Sequence, residues 1–219
     1  MWSRTLPENL THIAECVGKV DGYTEFQGME SGRAAVIKKF ATKSHQLTTD
    51  DVFLTAGGSM ALWASMNLLS GKGDNYLFPS PGFPLSLTIA QSMNLTPKLY
   101  HLQADNNWQA DISEMEKLID EKTKFVLVND PSNPLGSVWS AEHKREIIEL
   151  CIRKKIPLIA DEIYEEMSYG THAPTFAELI KPDEVDKITV FKCSGLTKRY
   201  LAPGWRMGWA IIYGSKQAQ

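Results

Sequence analysis

Two cations near the end of the chain have the types and spacing to do chemistry together. Lys198 lies just beyond an apolar, strand-like run at residues 188–191, in a turn of serine, glycine and threonine. Arg206 follows eight residues later, behind a Pro-Gly pair. A lysine held where a strand meets a turn can present its amine to a cleft as a nucleophile, and a nearby guanidinium can hold a phosphate.

A lysine nucleophile beside a phosphate clamp is the pattern of a Schiff-base site for pyridoxal phosphate (PLP). The alternative is an ordinary surface lysine in a basic loop, which is the usual position of a lone lysine. The elements that surround Lys198 along the chain decide between these interpretations, because a binding site needs several polar residues at one place in the fold.

Short β-rich runs alternate with helical patterns along the whole chain. Strands are predicted at residues 52–55, 76–78, 98–102, 125–129, 158–161, 188–192 and 209–213. Helices are predicted at residues 59–69, 112–121 and 140–154. Two of the strands are nearly continuous apolar β-formers, as in strands that are buried on both faces. The alternation predicts an α/β fold with a mainly parallel sheet sandwiched by helices.

Unusual residues follow the first two predicted strands, where open parallel sheets bind their ligands. The first strand leads into Gly58, Ser59 and Met60 at a helix start, whose free amides attract phosphate. A Gly-Gly turn at this position can also be purely structural. The second strand leads into a proline-rich loop with Phe83, a ring that can stack on a flat cofactor or join the core.

Polar residues follow the next two strands as well. Asn133 stands in a proline-stiffened loop, where its amide can donate a hydrogen bond to an oxygen. Asp161 ends an apolar strand, where a carboxylate is costly to bury without a cation such as a protonated pyridine nitrogen. A P-loop NTPase is excluded because no GxxxxGK[ST] occurs, and a nicotinamide dehydrogenase because no G-x-G-x-x-G follows a strand.

Four motifs in sequence order resemble the class I aminotransferases of PLP fold type I: Asn133-Pro134-x-Gly136, Asp161-x-x-Tyr164, Ser194-x-x-x-Lys198 and Lys198-x7-Arg206. Residues 133–140 and 198–209 are most similar to the tyrosine aminotransferases within that class. The likeness runs from about Leu6 to Tyr213. It implies the large, PLP-binding domain of that fold type, in truncated form.

The resemblance implies a role for each matching residue. Lys198 resembles the Schiff-base lysine that moves the α-proton of the substrate, and Asp161 the partner of the pyridinium nitrogen. Tyr164 and Asn133 match residues that hydrogen-bond the phenolic oxygen of the ring, and Phe83 matches an aromatic residue stacked on it. The residues that fall at the phosphate are Gly58, Ser59, Met60, Ser194 and Arg206.

The resemblance also implies partners and a domain division. Tyr23 matches a tyrosine that reaches the phosphate of the neighbouring subunit, so a homodimer is expected. Residues 1–50 are expected to form an N-terminal helical segment leading into the PLP-binding large domain, residues 51–219, with the C-terminal small domain absent. The apolar surface that meets a small domain is expected to be exposed near Trp205, Trp209 and Ile211.

The implied activity is a PLP-dependent transfer of an amino group from an aromatic amino acid, such as tyrosine, to a 2-oxo acid such as 2-oxoglutarate. In the family an arginine of the small domain grips the substrate's α-carboxylate, and no arginine follows Arg206 here. Arg33 and Arg199 are the first candidates for that task within this chain. Two alternatives stay open: another PLP enzyme of this fold type, such as a lyase or different transaminase, and a truncated, non-catalytic PLP-binding form that acts through dimerisation.

Composition sets the remaining limits. The 219 residues are 43% hydrophobic and 22% charged, with a formal net charge of −3 and scattered basic residues, so neither nucleic acid nor membrane is an expected partner. No apolar run approaches the ~18 residues that span a bilayer, and the start lacks the apolar core of a signal peptide. Cys16, Cys151 and Cys193 have no CxxC spacing, which favours reduced thiols and no metal site. We expect a cytoplasmic protein, with a mitochondrial location as the alternative.

Overall fold

Eight strands form one sheet in the computed structural model, which describes residues 14–16, 22–169 and 173–214. The strands are β1 Val52–Thr55, β2 Asn75–Ser80, β3 Thr96–Gln103, β4 Gln109–Ala110, β5 Thr123–Asn129, β6 Leu158–Asp161, β7 Val190–Gly195 and β8 Gly208–Tyr213. Their order is β1-β8-β7-β6-β5-β2-β3-β4. The run from β7 to β3 is parallel, whereas β8 and β4 are antiparallel to their neighbours. The predicted mainly parallel sheet is confirmed.

Residues 14–16 are helical, and six α-helices have bounds within the described chain: α1 Glu30–Phe40, α2 Gly58–Leu69, α3 Leu85–Ser92, α4 Ile112–Leu118, α5 Ala141–Lys154 and α6 Leu196–Arg199. The side chain of Ser140 caps α5 by accepting a hydrogen bond from the amide of His143, and Asp111 caps α4 in the same way. The three predicted helices are confirmed, with α4 ending three residues early. Helix α1 lies within residues 1–50, where an N-terminal helical segment was expected. Helices α3 and α6 were not predicted: α3 has no strong apolar stripe, and α6 has four residues.

The central strands are buried on both faces, as their apolar sequences predict. Along β5, Phe125 and Leu127 pack into the core on the side of α2, while Val126 and Val128 pack into the core on the side of α5. All four side chains are almost completely buried. This alternation follows from the two-residue period of a strand, and each such side chain contributes about 1.5–3 kcal/mol by leaving water.

The expected exposed surface near Trp205, Trp209 and Ile211 is wrong for the two residues that lie in β8. Trp209 and Ile211 are 4% and 0% exposed, because β8 lies between β1 and β7 and is covered by α1. The ring of Phe40 at the end of α1 lies 5.6 Å from that of Trp209. Trp205, just before the strand, is 53% exposed, so only this member of the expected surface faces solvent.

Gly208 allows β8 to approach the start of α2. A Cβ atom at Gly208 would lie 2.4 Å from the carbonyl carbon of Gly57 and 2.6 Å from the amide nitrogen of Gly58. Backbone atoms cannot move aside as a flexible side chain can, so this contact needs glycine. The close approach holds the Arg206 segment beside the first turn of α2.

We predict that Gly208→Ala lowers the free energy of unfolding by about 1–3 kcal/mol, because the added methyl overpacks two backbones. Urea unfolding of the wild type and variant measures the difference. Gly204→Ala is the matched control, since nothing lies within 4 Å of a Cβ there. It should change the free energy by no more than about 0.5 kcal/mol. Equal effects of the two substitutions would contradict the packing argument.

Candidate active site

A cavity of ≈ 230 Å³ lies at the carboxyl ends of β5, β6 and β7, beside the N-terminus of α2. This is the edge at which open parallel sheets bind their ligands. The predicted site residues on its wall are Gly58, Ser59, Phe83, Asn133, Asp161, Tyr164, Lys198 and Arg206. Apolar side chains complete much of the wall: Leu62, Leu85 and Ile163. The structure therefore brings together residues that are separated by more than a hundred positions in the chain.

Asp161 is a buried carboxylate at the end of β6. It accepts one hydrogen bond from the amide of Ile163, 3.3 Å away, and forms no ion pair with any described cation. Burial raises its pKa from the ordinary 3.8 to about 7, because desolvation outweighs that hydrogen bond and the Glu162 carboxylate raises it further. Asp161 therefore lacks a positive partner, as a residue that binds a cationic ligand group would.

Asn129 joins the ends of two strands to the Asn133 loop. Its side-chain amide donates to the carbonyl oxygen of Asp161 at 3.1 Å, and its side-chain oxygen accepts from the amide of Asn133 at 2.8 Å. These bonds place Asn133 and Asp161 on the same cavity wall. Asn129 was not assigned to the site from the sequence. The available signal was its position as a polar residue ending an apolar strand.

Lys198 lies in the short helix α6, which follows β7 directly. It is half-buried in α6, and its Nζ atom is 5.4 Å from the centroid of the Tyr164 ring. That distance permits a cation–π contact when the amine is protonated. Thr197, its neighbour, also lines the cavity and was not predicted, although a hydroxyl beside the candidate lysine was visible in the sequence.

Arg206 lies over the first peptide of α2. It has a left-handed backbone conformation, with φ of 49°, and its Nη1 donates to the carbonyl oxygen of Pro203 at 3.0 Å. A Cβ at Gly57 would lie 2.6 Å from Nη2, and Gly57 itself has φ of +85°. Gly57 thus leaves room for the guanidinium beside the free amides of a twelve-residue helix. A guanidinium and a helix N-terminus together attract an anion.

Three residues expected at the cofactor are not on the wall of this cavity. Ser194 is buried on the inner side of β7, where its hydroxyl donates to Oε1 of Glu165 at 3.3 Å, because its position along the strand points it inward. Met60 is 43% exposed on α2, and its amide is already bonded to the carbonyl of Gly57. Tyr23 is fully exposed.

The two arginines considered for the substrate carboxylate also lie elsewhere. Arg33 is buried in α1, where it donates to the carbonyl oxygens of Gly28 and Thr49. Arg199 is paired with Glu165 and Glu166. Among the described residues, Arg206 is the one arginine on the wall of the cavity. Neither Arg33 nor Arg199 is placed to hold a substrate there.

The rest of the described chain has a second cavity but no candidate metal site. A larger cavity of ≈ 870 Å³ lies at the opposite ends of the strands and is lined mostly by apolar residues. Within ranges 14–16, 22–169 and 173–214, no group of three histidine, cysteine or acidic residues could hold a metal ion. None of the helices in those ranges is both long and apolar enough to cross a bilayer.

The wall residues fit PLP. A protonated pyridine nitrogen would supply the cation that the buried Asp161 lacks, and the phosphate would meet Arg206 and the start of α2. Phe83 offers a partly exposed ring, and Lys198 offers the amine. The fit rests on the chemistry of these groups and on their common cavity.

The chain is similar to known aminotransferases in sequence and in fold. A family model described as aminotransferase class I and II matches residues 4–216. Tyrosine aminotransferase of Bos taurus is 41% identical over 196 residues, which are 90% of this chain and 43% of that protein. The chain therefore spans less than half the length of this relative.

Two solved structures extend the comparison. Alanine aminotransferase from Pyrococcus furiosus has a TM-score of 0.86 at 28% identity, covering 96% of this chain and 53% of that one. Tyrosine aminotransferase from Leishmania infantum has a TM-score of 0.84 at 30% identity, covering 94% of this chain and 56% of that one. The sheet and its helices are thus shared with proteins whose names give different substrates.

The raised pKa of Asp161 predicts a pH-dependent stability difference for Asp161→Asn. Ionising the buried Asp161 destabilises the folded wild type, and asparagine avoids this cost because it is never charged. The loss of stability begins near pH 3.8, grows until about pH 7 and is constant above that pH. The variant should gain about 2–3 kcal/mol in unfolding free energy over the wild type between pH 5 and pH 8. Urea unfolding without added cofactor, at several pH values, measures this gain.

The matched control for that experiment is Asp105→Asn, which changes an exposed carboxylate in the same way. Its unfolding free energy should follow that of the wild type across the same pH range. A flat difference between Asp161→Asn and the wild type would show that burial does not perturb this carboxylate.

Proposed function

The chain belongs to the class I and II aminotransferase family, and we propose that its cavity holds the PLP of a transaminase. PLP is the cofactor of this family. The observation that carries the proposal is the presence, on the wall of one cavity, of a buried carboxylate without a cation and a lysine amine. When bound, PLP supplies an electron sink for the bond cleaved at the substrate's α-carbon.

Asp161 would hold the proton on the ring nitrogen of bound PLP. Its carboxylate accepts from the amide of Ile163, and its backbone carbonyl oxygen accepts from Asn129. Because Asp161 is buried, its attraction to a pyridinium would be strong. The raised pKa of Asp161 reflects the missing cation, and a bound pyridinium would lower it again.

Three side chains orient the ring. Tyr164 and Asn133 lie on the wall and can donate hydrogen bonds to the phenolic oxygen. Phe83 is 36% exposed at the cavity and provides a flat face for stacking. Arg206 and the free amides of α2 hold the phosphate at the other end. Together these residues would hold the ring at one face and the phosphate at one end.

Lys198 would hold the cofactor and move the proton. Its amine would make the covalent link to PLP, and the free amine would take and return the proton at the substrate's Cα as a general base. Its Nζ atom lies 5.4 Å from the centroid of the Tyr164 ring. A half-buried amine can reach both the cofactor and the substrate without leaving the site.

We propose an aromatic amino acid, tyrosine in the first place, as the amino donor and 2-oxoglutarate as the acceptor. The 41% identity to a protein named tyrosine aminotransferase supports this choice. The alanine aminotransferase of similar fold makes alanine the competing donor. No feature of the described residues favours a lyase or a non-catalytic role.

The proposed organisation is a large PLP-binding domain at residues 51–219, preceded by an N-terminal segment at residues 1–50, in a homodimer. All residues on the cavity wall fall in the proposed domain. The preceding segment packs on it through α1, where Phe40 accepts a hydrogen bond from Tyr213. The fully exposed Tyr23 and the exposed Phe26 support an association surface, which sedimentation velocity can measure.

The cofactor proposal predicts that borohydride reduction of the chain with PLP leaves the reduced cofactor on Lys198. Peptide mapping by mass spectrometry locates the adduct. Lys198→Ala should lose the covalent link but keep weaker, non-covalent binding through Arg206 and the start of α2. Lys72→Ala, which removes an exposed lysine, is the matched control and should label as the wild type does. An adduct mapped to another lysine would remove the central assignment.

The donor proposal predicts that kcat/KM for tyrosine exceeds that for alanine and for aspartate by roughly tenfold or more, with 2-oxoglutarate as acceptor. The ratio between donors is the measurement, since it compares substrates on one protein. A higher ratio for alanine would leave the transaminase assignment in place and replace the donor.

A further inference from the structure

Four charged side chains that are not on the cavity wall form a buried cluster: Glu162, Glu165, Lys192 and Arg199. Their side chains are 1%, 6%, 1% and 6% exposed. Lys192 Nζ lies 2.9 Å from Oε2 of Glu162 and also contacts Oε2 of Glu165. Arg199 Nη2 lies 2.7 Å from Oε1 of Glu165. The cluster therefore contains two carboxylates and two cations and has no formal net charge.

Members of the cluster alternate in sequence with residues of the cavity. Glu165 follows Tyr164 directly, and Arg199 follows Lys198 directly. The ion pair between Glu165 and Arg199 therefore joins the two chain segments that carry Tyr164 and Lys198. Successive residues on a helical turn point about 100° apart, so fixing Arg199 inward leaves Lys198 pointing outward from the cluster.

A second contact holds Arg199 from the side of α1. Its Nε lies 2.7 Å from Oε2 of Glu166, and Lys39 of α1 lies 2.5 Å from the other oxygen of Glu166. The ring of Phe40 lies 4.8 Å from the guanidinium carbon of Arg199 and 5.0 Å from Nζ of Lys192. Arg199 is thus held by two carboxylates and an aromatic face.

Stability alone does not explain such a cluster. Burying a charged group has a desolvation cost that its ion pair often only balances, and apolar replacements are frequently as stable. Nη1 of Arg199 is buried and bonds to no residue that the structure describes, which adds to that cost. What a buried, directional set of charge-assisted bonds supplies is a defined geometry for the segments it joins.

We propose that Glu165 and Arg199 are positioning residues that hold Lys198 beside Tyr164. Their importance for catalysis rests on the proposed function, whereas their effect on the position of Lys198 does not. Neither residue lies on the cavity wall, so each acts through its neighbour.

The test compares two charge-balanced double variants. Glu165→Gln with Arg199→Gln removes the link to the Lys198 segment and keeps the pair of Lys192 and Glu162. Glu162→Gln with Lys192→Met removes that other pair and keeps the link. Each leaves the net charge of the cluster unchanged, so the two differ in which segment is released.

The main readout is the acetylation rate of Lys198 relative to that of exposed Lys72, measured by mass spectrometry on the folded chain without cofactor. Releasing Lys198 should raise this ratio about three- to tenfold in the first double variant, because a freed segment samples open conformations. The second double variant should stay within about 1.3-fold of the wild type. An unchanged ratio in the first, or an equal rise in both, would overturn the proposal.

Two further measurements complete the test. Should the first double variant fail to fold, Glu166→Gln removes only the outer, partly exposed partner of Arg199. It should give a smaller rise of about twofold, and an unchanged ratio would overturn the proposal in its turn. Borohydride trapping of PLP, run in parallel, tests the cofactor proposal separately from the positioning proposal. Absence of an adduct on wild-type Lys198 would count against the cofactor proposal, whereas the acetylation ratio would still test the positioning of Lys198.

Discussion

The site depends on the parallel register of β5, β6 and β7, because that register decides which strand ends meet. Asn129 pairs with Asp161, and Asp161 pairs with Cys193, so β5 and β6 end at one level and β7 continues two residues further, to Gly195. A slip by one residue would turn every side chain of a strand to the opposite face. The apolar side chains that fill both faces of β5 oppose such a slip, so core packing fixes the geometry of the polar edge.

The buried carboxylates Asp161, Glu162 and Glu165 differ in whether a cationic side chain is paired with them. Asp161 has no cationic partner among the described side chains, and its pKa rises to about 7. Glu162 and Glu165 lie just after it and share Lys192, whose pKa is raised because the two carboxylates outweigh the effect of its own burial. The first arrangement leaves a charge for a ligand to satisfy. The second satisfies its charges internally and holds the backbone that carries Tyr164.

Family membership and substrate choice rest on different parts of the molecule. The sheet and its helices belong to a scaffold that solved tyrosine and alanine aminotransferases share. Discrimination among amino donors depends on residues that contact the substrate side chain. Since the chain spans about half of these relatives, the donor proposal rests on sequence similarity rather than on a described side-chain pocket.

The sequence by itself determined seven of the eight strands, the helices α2, α4 and α5, the bounds of β6, and the wall residues Asp161 and Lys198. These features follow from local periodicity, capping and motif spacing, which a single chain displays directly. Only the tertiary structure decided that β8 runs antiparallel with Trp209 buried, and that Ser194 turns inward. Burial and side-chain direction depend on which distant segment covers a residue, and β8 is covered by α1 from far along the chain. Arg199 makes the same point: its neighbours in sequence mark a basic turn, while its neighbours in space are the carboxylates that hold it.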